Sequence, residues 1–392
     1  LFRPIELLSG AVLTMAAMGV LYIWSLFLLP LEEALGVSRA ALSLAPAIAL
    51  SLFTLGMVIH HSLLHRFGRV GFAVFSFALA GGGFLFAGAV FTYPALLIGY
   101  AVLFGLGCGS GYGLALALAS DMPEAKRGIS IGVTTASFAI SGVAISAFLP
   151  QLIETAGVRA VLIGIGIALL IIGAIVSLIV SGTGRIADEG DEAPDALDTA
   201  PQPLGPLLLL GFLFFALCYP GLTFVAHSTA ILAESGVAQS HLAWGPMILN
   251  TTYIAGSLIG GVLVQKLSSV PTLRLCFGLL AFGLSAALFA ETPAWALAAT
   301  GAVGMVLGGA ASIMPQVIAE RFGAASIGPI YGRLSIGYGL AGLIGPWMSA
   351  LLFEQAGDYS SALLLALALT ALAGLATFLQ RGQAPAPRQA AS

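Results

Sequence analysis

Few side chains in this sequence can do chemistry, and most of them form hydrogen bonds and carry no charge. Asn250 and Tyr253 sit three apart, with Thr251 and Thr252 between them. On a helix that spacing places an amide and a phenol on one face. Both make directional hydrogen bonds, which suits fixing a small polar ligand; the same residues can equally tie one helix to another. Tyr331, Ser335 and Tyr338 follow the i, i+4, i+7 pattern of one helix face, a stripe that serves either packing or a cavity wall. Arg333 is the one cation within an apolar stretch. It can clasp a carboxylate in bidentate fashion, or run its stem to the nearest interface or to Glu320. His227 can bind an anion, relay a proton or simply be a satisfied core residue. Tyr22, Trp24 and Tyr112 are aromatics with a polar tip, at home in an interfacial belt or on a cavity wall.

Other groupings fall away. His61 and His65 are four apart, but no carboxylate or Cys accompanies them and His60. They read as a solvated basic turn beside Arg66, facing anionic lipid. Cys108, Cys218 and Cys276 lie in apolar stretches with no metal or disulfide spacing. Gly105-x-Gly107-x-Gly109 has no strand before it, so it fails as a nucleotide loop. No ATP-binding loop occurs, and no metal or cofactor is expected.

The elements that must position these residues follow from scarcity of charge. Of 392 residues, 59% are apolar and 8% charged, against about 25% charged in soluble domains. That excludes an ordinary soluble body and a basic nucleic-acid surface, and points to lipid as the solvent. A bilayer-crossing helix needs about 20 apolar residues. Windows of that length fall at 7–29, 40–60, 70–91, 95–118, 128–149, 160–181, 206–231, 242–264, 272–290, 295–318, 328–352 and 360–379. Thr92-Tyr93-Pro94, Asp121-Met122-Pro123 and Glu291-Thr292-Pro293 are turn-like breaks. The alternating ten-residue segments of a β-barrel are missing. With the amino terminus inside, eleven Lys and Arg fall on inner segments and only Arg39 and Arg159 on outer ones. The expectation is a multi-pass protein of the cell (inner) membrane with both termini cytoplasmic. The first apolar segment lacks a small-residue cleavage site and reads as retained.

Gly182–Pro203, acidic and Pro-containing, reads as a flexible cytoplasmic linker. It separates an amino-terminal six-helix bundle, 1–181, from a carboxy-terminal one, 204–380; 381–392 reads as a disordered cytoplasmic tail. The halves match at an offset of 200 residues. Gly128, Gly132 and Gly142 answer Gly328, Gly332 and Gly342, and Glu154-Thr155-Ala156-Gly157 answers Glu354-Gln355-Ala356-Gly357. Both halves start on the same side, so the repeat is parallel. The fold expected is an all-α membrane protein of twelve transmembrane helices in two parallel six-helix repeats, the layout of the major facilitator fold. The Gly128-x-x-x-Gly132, Gly328-x-x-x-Gly332 and Gly105-x-x-x-Gly109 faces would let helices approach closely.

Several motifs carry a closer resemblance. Tyr22-Ile23-Trp24-Ser25-Leu26-Phe27, then Pro30-Leu31-Glu32 and Gly36-Val37-Ser38-Arg39, is similar to the start of the oxalate/formate antiporters and related monocarboxylate transporters. Gly105 to Tyr112 resembles their fourth helix, Gly221-Leu222 through His227 their seventh, and Tyr331-Gly332 with Gly339-x-x-Gly342-x-x-Gly345-Pro346 their eleventh. The superfamily's loop after helix 2 reads Gly-x-x-x-Asp-Arg-x-Gly-Arg-Arg. Here Arg66, Gly68 and Arg69 match that conformational loop, but His65 replaces the Asp, so its carboxylate is missing. The relatives place an Arg in helix 8 and, in the oxalate carriers, a Lys in helix 11. Leu242–Val264 holds neither cation, and Tyr338 stands at the Lys position. The resemblance implies an alternating-access carrier of a small organic anion, and the departures argue against a dicarboxylate.

The expectation is therefore a transporter, not an enzyme, that moves a monocarboxylate, with Trp24, Tyr112, His227, Asn250, Tyr253, Arg333 and Tyr338 at its site. An exporter of neutral or lipophilic compounds and a non-transporting membrane sensor are the rivals. A monomer is expected to suffice. Every Asp and Glu lies in a loop, in the linker or at a helix end. A coupling proton would therefore fall to His227 or to the substrate itself. Uniport, exchange and proton symport all stay open.

Overall fold

The computed structural model describes residues 3–182, 204–289, 292–323 and 327–378. Apart from Gly182, the expected linker and the tail lie outside the described residues. Those residues form helices that cross back and forth, and ten of them are long and apolar enough to span a bilayer. One of the ten, Arg39–Val90, is two crossings in 52 residues, joined at Gly68 with φ 67° and ψ 174°. Only glycine takes that corner without strain. The shorter Ser360–Ala376 completes twelve crossings.

The crossings in chain order are as follows. The first runs from Arg3 to Leu35, the second and third make up Arg39–Val90, and the fourth is Tyr93–Ser120. The fifth is Glu124–Ala156, the sixth Val158–Ser181 and the seventh Leu204–Glu234. The eighth is Trp244–Leu267, the ninth Ser269–Phe289, the tenth Pro293–Phe322, the eleventh Ile327–Ala356 and the twelfth Ser360–Ala376. Several outrun their expected windows. The fifth has 33 residues, because a helix continues past the hydrocarbon into the polar layer. The expected turn at Thr92 holds: the Thr92 hydroxyl accepts from the Ala95 N–H, and Pro94 sits in the first turn.

Two irregular stretches escaped the sequence. The first crossing changes from α (Arg3–Met18) to 3₁₀ (Gly19–Ile23) and back to α (Ser25–Leu35). There a Cβ at Gly19 would overlap the Phe138 carbonyl of the fifth crossing, so only glycine lets the two backbones meet. The fourth crossing contains a π-helical stretch, Leu97–Phe104. Wider turns of this kind often mark functional sites.

Burial sorts the crossings into layers. The apolar windows of the first, fourth, seventh and tenth are 61–72% buried, whereas those of the sixth and eighth are 28% buried. Every third helix therefore sits at the centre, in both halves. The sixth shows why it stays outside: Ile167, Ile171, Ile175 and Leu178 form an exposed apolar stripe, as a lipid face requires.

Candidate functional site

A cavity of about 350 Å³ lies between the two halves, amid these central helices. From the first half it takes Tyr22, Phe53, Tyr112 and Phe138; from the second, Phe214, Tyr253, Tyr331 and Tyr338. The 3₁₀ stretch of the first crossing carries Tyr22, and the i, i+4, i+7 stripe of the eleventh carries Tyr331, Ser335 and Tyr338. The rings meet edge to face. Tyr22 stands 5.0 Å from Phe138 and 5.7 Å from Tyr253, and Tyr112 stands 5.3 Å from Phe53. Such pairs contribute about 0.5–1.5 kcal/mol each beyond their buried area, so they hold the walls in place. The Tyr22 and Tyr338 hydroxyls meet across the halves at 2.9 Å.

Among the described residues, none that lines this cavity is Lys, Arg, His, Asp or Glu. Its polar groups are five tyrosine hydroxyls, Ser335, Thr54 and the Cys218 thiol. Ser335 and Thr54 already donate to their own helix, to the carbonyls of Tyr331 and Leu50. The phenols are therefore the main free hydrogen-bonding groups. Phe53 and Tyr253 are related by the 200-residue offset, as are Phe138 and Tyr338, so equivalent positions carry rings in both halves but hydroxyls only in the second.

Tyr112, Tyr253 and Tyr338 thus stand together on the cavity wall, and the other expected residues stand elsewhere. Asn250 is fully buried between crossings; its amide donates to the Pro246 carbonyl at 2.8 Å, reaches the Tyr22 carbonyl at 3.5 Å and fills the notch at Gly142. It ties the eighth crossing to the first and fifth. Trp24 is buried against Tyr100, ring centres 4.4 Å apart, and meets neither cavity nor lipid. Arg333 is exposed on the stripe of Ile336, Leu340, Leu343 and Trp347. It lies two residues from Tyr331 and Ser335, about 200° around the helix, so its side chain leaves toward lipid and not toward the cavity. Glu320, offered as its partner, instead accepts from the Ser269 N–H at 3.0 Å. His60, His61 and His65 form no metal-holding group among the described residues.

The conformational loop also differs from expectation. Arg69 is buried and pairs with Asp121, at the end of the fourth crossing. The loop thus has a carboxylate after all, supplied from 52 residues away in place of position 65. Asp121 was visible only as part of a turn. Arg66 is exposed.

His227 is buried on the far side of the cavity from the face that bears the start of the first crossing. That far face is closed by bonds between the halves. Ser25 accepts from Ser228 and Thr229, each at 3.1 Å. The Ala40 N–H donates to Glu354 at 2.8 Å. Arg39 holds Glu32 at 3.0 and 3.1 Å, stacks on Phe353 at 4.0 Å and points at the Tyr359 hydroxyl at 3.5 Å. Glu234 caps the Tyr359 N–H at 3.1 Å. The sequence offered His227 as a site candidate and Ser25, Glu32, Arg39 and Glu354 only as parts of motifs, because the contacts that join the halves link positions 203 to 320 apart. Toward the opposite face the cavity lining continues through Met57, Val58 and Tyr331. The molecule is sealed at one end and accessible from the other.

Twelve crossings around a central cavity with one sealed end are the layout of the major facilitator fold. The chain belongs to the Major Facilitator Superfamily, whose model matches residues 7–231 and 208–392. It is 27% identical over 387 residues to the oxalate:formate antiporter of Oxalobacter formigenes, covering 92% of this chain and 87% of that protein. It is 24% identical over 347 residues to the uncharacterized MFS-type transporter YhjX of Escherichia coli (strain K12), covering 86% and 85%. In fold it superposes on a bacterial homolog of the human lysosomal transporter Spinster, solved inward-facing and unoccupied. The TM-score is 0.76 over 96% of each chain, at 14% identity. The family is one of transporters, not of enzymes.

Proposed function

We propose that this carrier moves a small organic solute that carries no formal charge while it sits in the cavity, a neutral molecule or a protonated monocarboxylic acid. The observation that carries this reading is the wall itself: rings and hydroxyls, with no ionisable cation or carboxylate among the lining residues. An unpaired carboxylate buried there would forfeit several kcal/mol of hydration, and a dianion more. Five phenols supply donors and acceptors, and the rings supply apolar area.

A second reading, the monocarboxylate anion, draws on the relative named as an oxalate:formate antiporter and on the phenols as charge-stabilising donors, each worth about 1.5–3 kcal/mol toward a charged acceptor. Uptake and counterflow in proteoliposomes separate the two. Formate, lactate, pyruvate and oxalate would be compared with neutral solutes of similar size, with protein-free vesicles as the leak control. The first reading expects neutral solutes to exchange and oxalate to fail. Saturable exchange of carboxylates alone, at a rate independent of the protonated fraction, would replace it with the second.

In the same reading, the positive-inside bias sets both termini in the cytoplasm of a cell-membrane protein. The accessible end is then the cytoplasmic one. The linker at 182–203 lets bundles 1–181 and 204–380 rock about the cavity, and one copy carries a complete site.

A further inference from the structure

We propose that His227 is a proton-binding site that works the far-face seal: the neutral ring holds the seal closed and the protonated ring releases it. This rests on the alternating-access reading but not on the identity of the solute. The hydrogen-bond inventory around the ring carries it. His227 is fully buried, and its Nε2 lies 2.8 Å from the Pro346 carbonyl, which can only accept. Nε2 therefore bears the proton. Nδ1 lies 2.9 Å from the Tyr359 hydroxyl, so in the neutral ring it accepts the Tyr359 proton. The same phenol oxygen faces the Arg39 Nη1 at 3.5 Å. Every group here is satisfied with one arrangement of protons, and that arrangement needs an uncharged imidazole.

Adding a proton at Nδ1 breaks the arrangement. The Tyr359 oxygen would then face two donors, His227 and Arg39, both cationic, while its own proton lost its acceptor. The crossing that carries Arg39 also carries Ser43, whose hydroxyl is 3.5 Å from Nε2 and donates to the Arg39 carbonyl at 2.7 Å. Arg39 and Ser43 belong to the first half; His227, Pro346 and Tyr359 belong to the second. The Arg39–Tyr359 approach that a second cation at this phenol opposes joins the two halves, and it must part when the far face opens. The other charged groups turned toward this spot are already engaged: Glu32 on Arg39, Glu234 on the Tyr359 N–H and Glu354 on the Ala40 N–H, while Asp358 bonds the Ser360 N–H. None donates to or accepts from the imidazole. Opening hydrates the ring, so proton uptake and opening favour each other.

The test is a distance across the far face, which needs no known solute. Spin labels at Ala34→Cys, exposed in the last turn of crossing one, and at Ala238→Cys, exposed on the hairpin between crossings seven and eight, report on the far face. The native cysteines are replaced by alanine first, because Cys218 lines the open cavity. Between about pH 8 and about pH 5, where imidazole titrates, the open fraction should rise about tenfold, the response to a ~1.4 kcal/mol shift between the two states. In His227→Gln, whose amide donates and accepts but takes no proton, the distances should be the same at both pH values. Tyr359→Phe should be open at both. A pH-independent distance in the labelled parent, a response retained in His227→Gln, or a Tyr359→Phe protein closed at both pH values would each overturn the proposal. An acid response in a carrier that moves none of the solutes tested would leave it standing and refute only the solute assignment.

Discussion

The cavity and the far-face seal lie along the same axis but are built from opposite materials. The cavity wall is rings and hydroxyls without a charge. The seal is an arginine between two aromatic rings, three glutamates on backbone or guanidinium N–H groups, and a histidine. Weak, replaceable contacts select a solute; strong, directional ones hold a shape. The difference assigns selection to the midplane and commitment to the end, so a change in one region should leave the other's readout largely intact.

The largest effect is expected at the seal. Arg39→Ala removes the Glu32 pair, the Phe353 stack and the approach to Tyr359 at once. Concentrative uptake should fall at least about tenfold, the equivalent of ~1.4 kcal/mol, while solute affinity measured in detergent stays within about twofold. A large loss of affinity would erase the division of labour. Next comes Tyr338→Phe, which deletes one hydroxyl of the Tyr22 pair and keeps the ring. At about 1 kcal/mol per hydrogen bond, KM should rise about fivefold with little change in maximal rate. Tyr253→Phe should act in the same direction and by a similar factor.

Asp121→Asn should act on neither region. It weakens the Arg69 pair at the conformational loop, and because the Asp121 side chain is 43% exposed the cost should be about 1 kcal/mol, read as a small drop in Tm. The smallest effect belongs to Arg333→Gln. An arginine on a lipid-facing stripe contributes no contact to cavity or seal, so uptake should be unchanged within measurement error. A severalfold loss there would mean that the eleventh crossing turns its other face inward during transport.

Much of this was legible in the sequence because it depends on local periodicity. Hydropathy windows gave the crossings, the 200-residue offset gave the parallel halves, and helical spacing put Tyr331, Ser335 and Tyr338 on one face. Tyr112 and Tyr253 stand on the cavity wall. Arg333 stands on another face of its helix, which its angle around the helix reveals and its position along it does not. Trp24 and Asn250 lie buried between crossings, a place that composition cannot distinguish from a cavity wall. The seal was illegible for a different reason. Arg39 and Tyr359 are 320 positions apart, and nothing in the pattern around either announces the other.

The Tyr22–Tyr338 hydroxyl bond has a consequence for how tightly anything is held. Only one of the two hydroxyls can donate in it, so the other keeps its proton, and a solute that bonds there gains about one hydrogen bond, a modest net amount. It also gains contact with eight aromatic rings, at about 25 cal/mol for each Å² of apolar surface covered. Affinity should therefore climb with the carbon skeleton of the solute and rise only by small steps as polar groups are added. The site would sort its cargo as a solvent does, by partition, and would leave the work of recognition to shape.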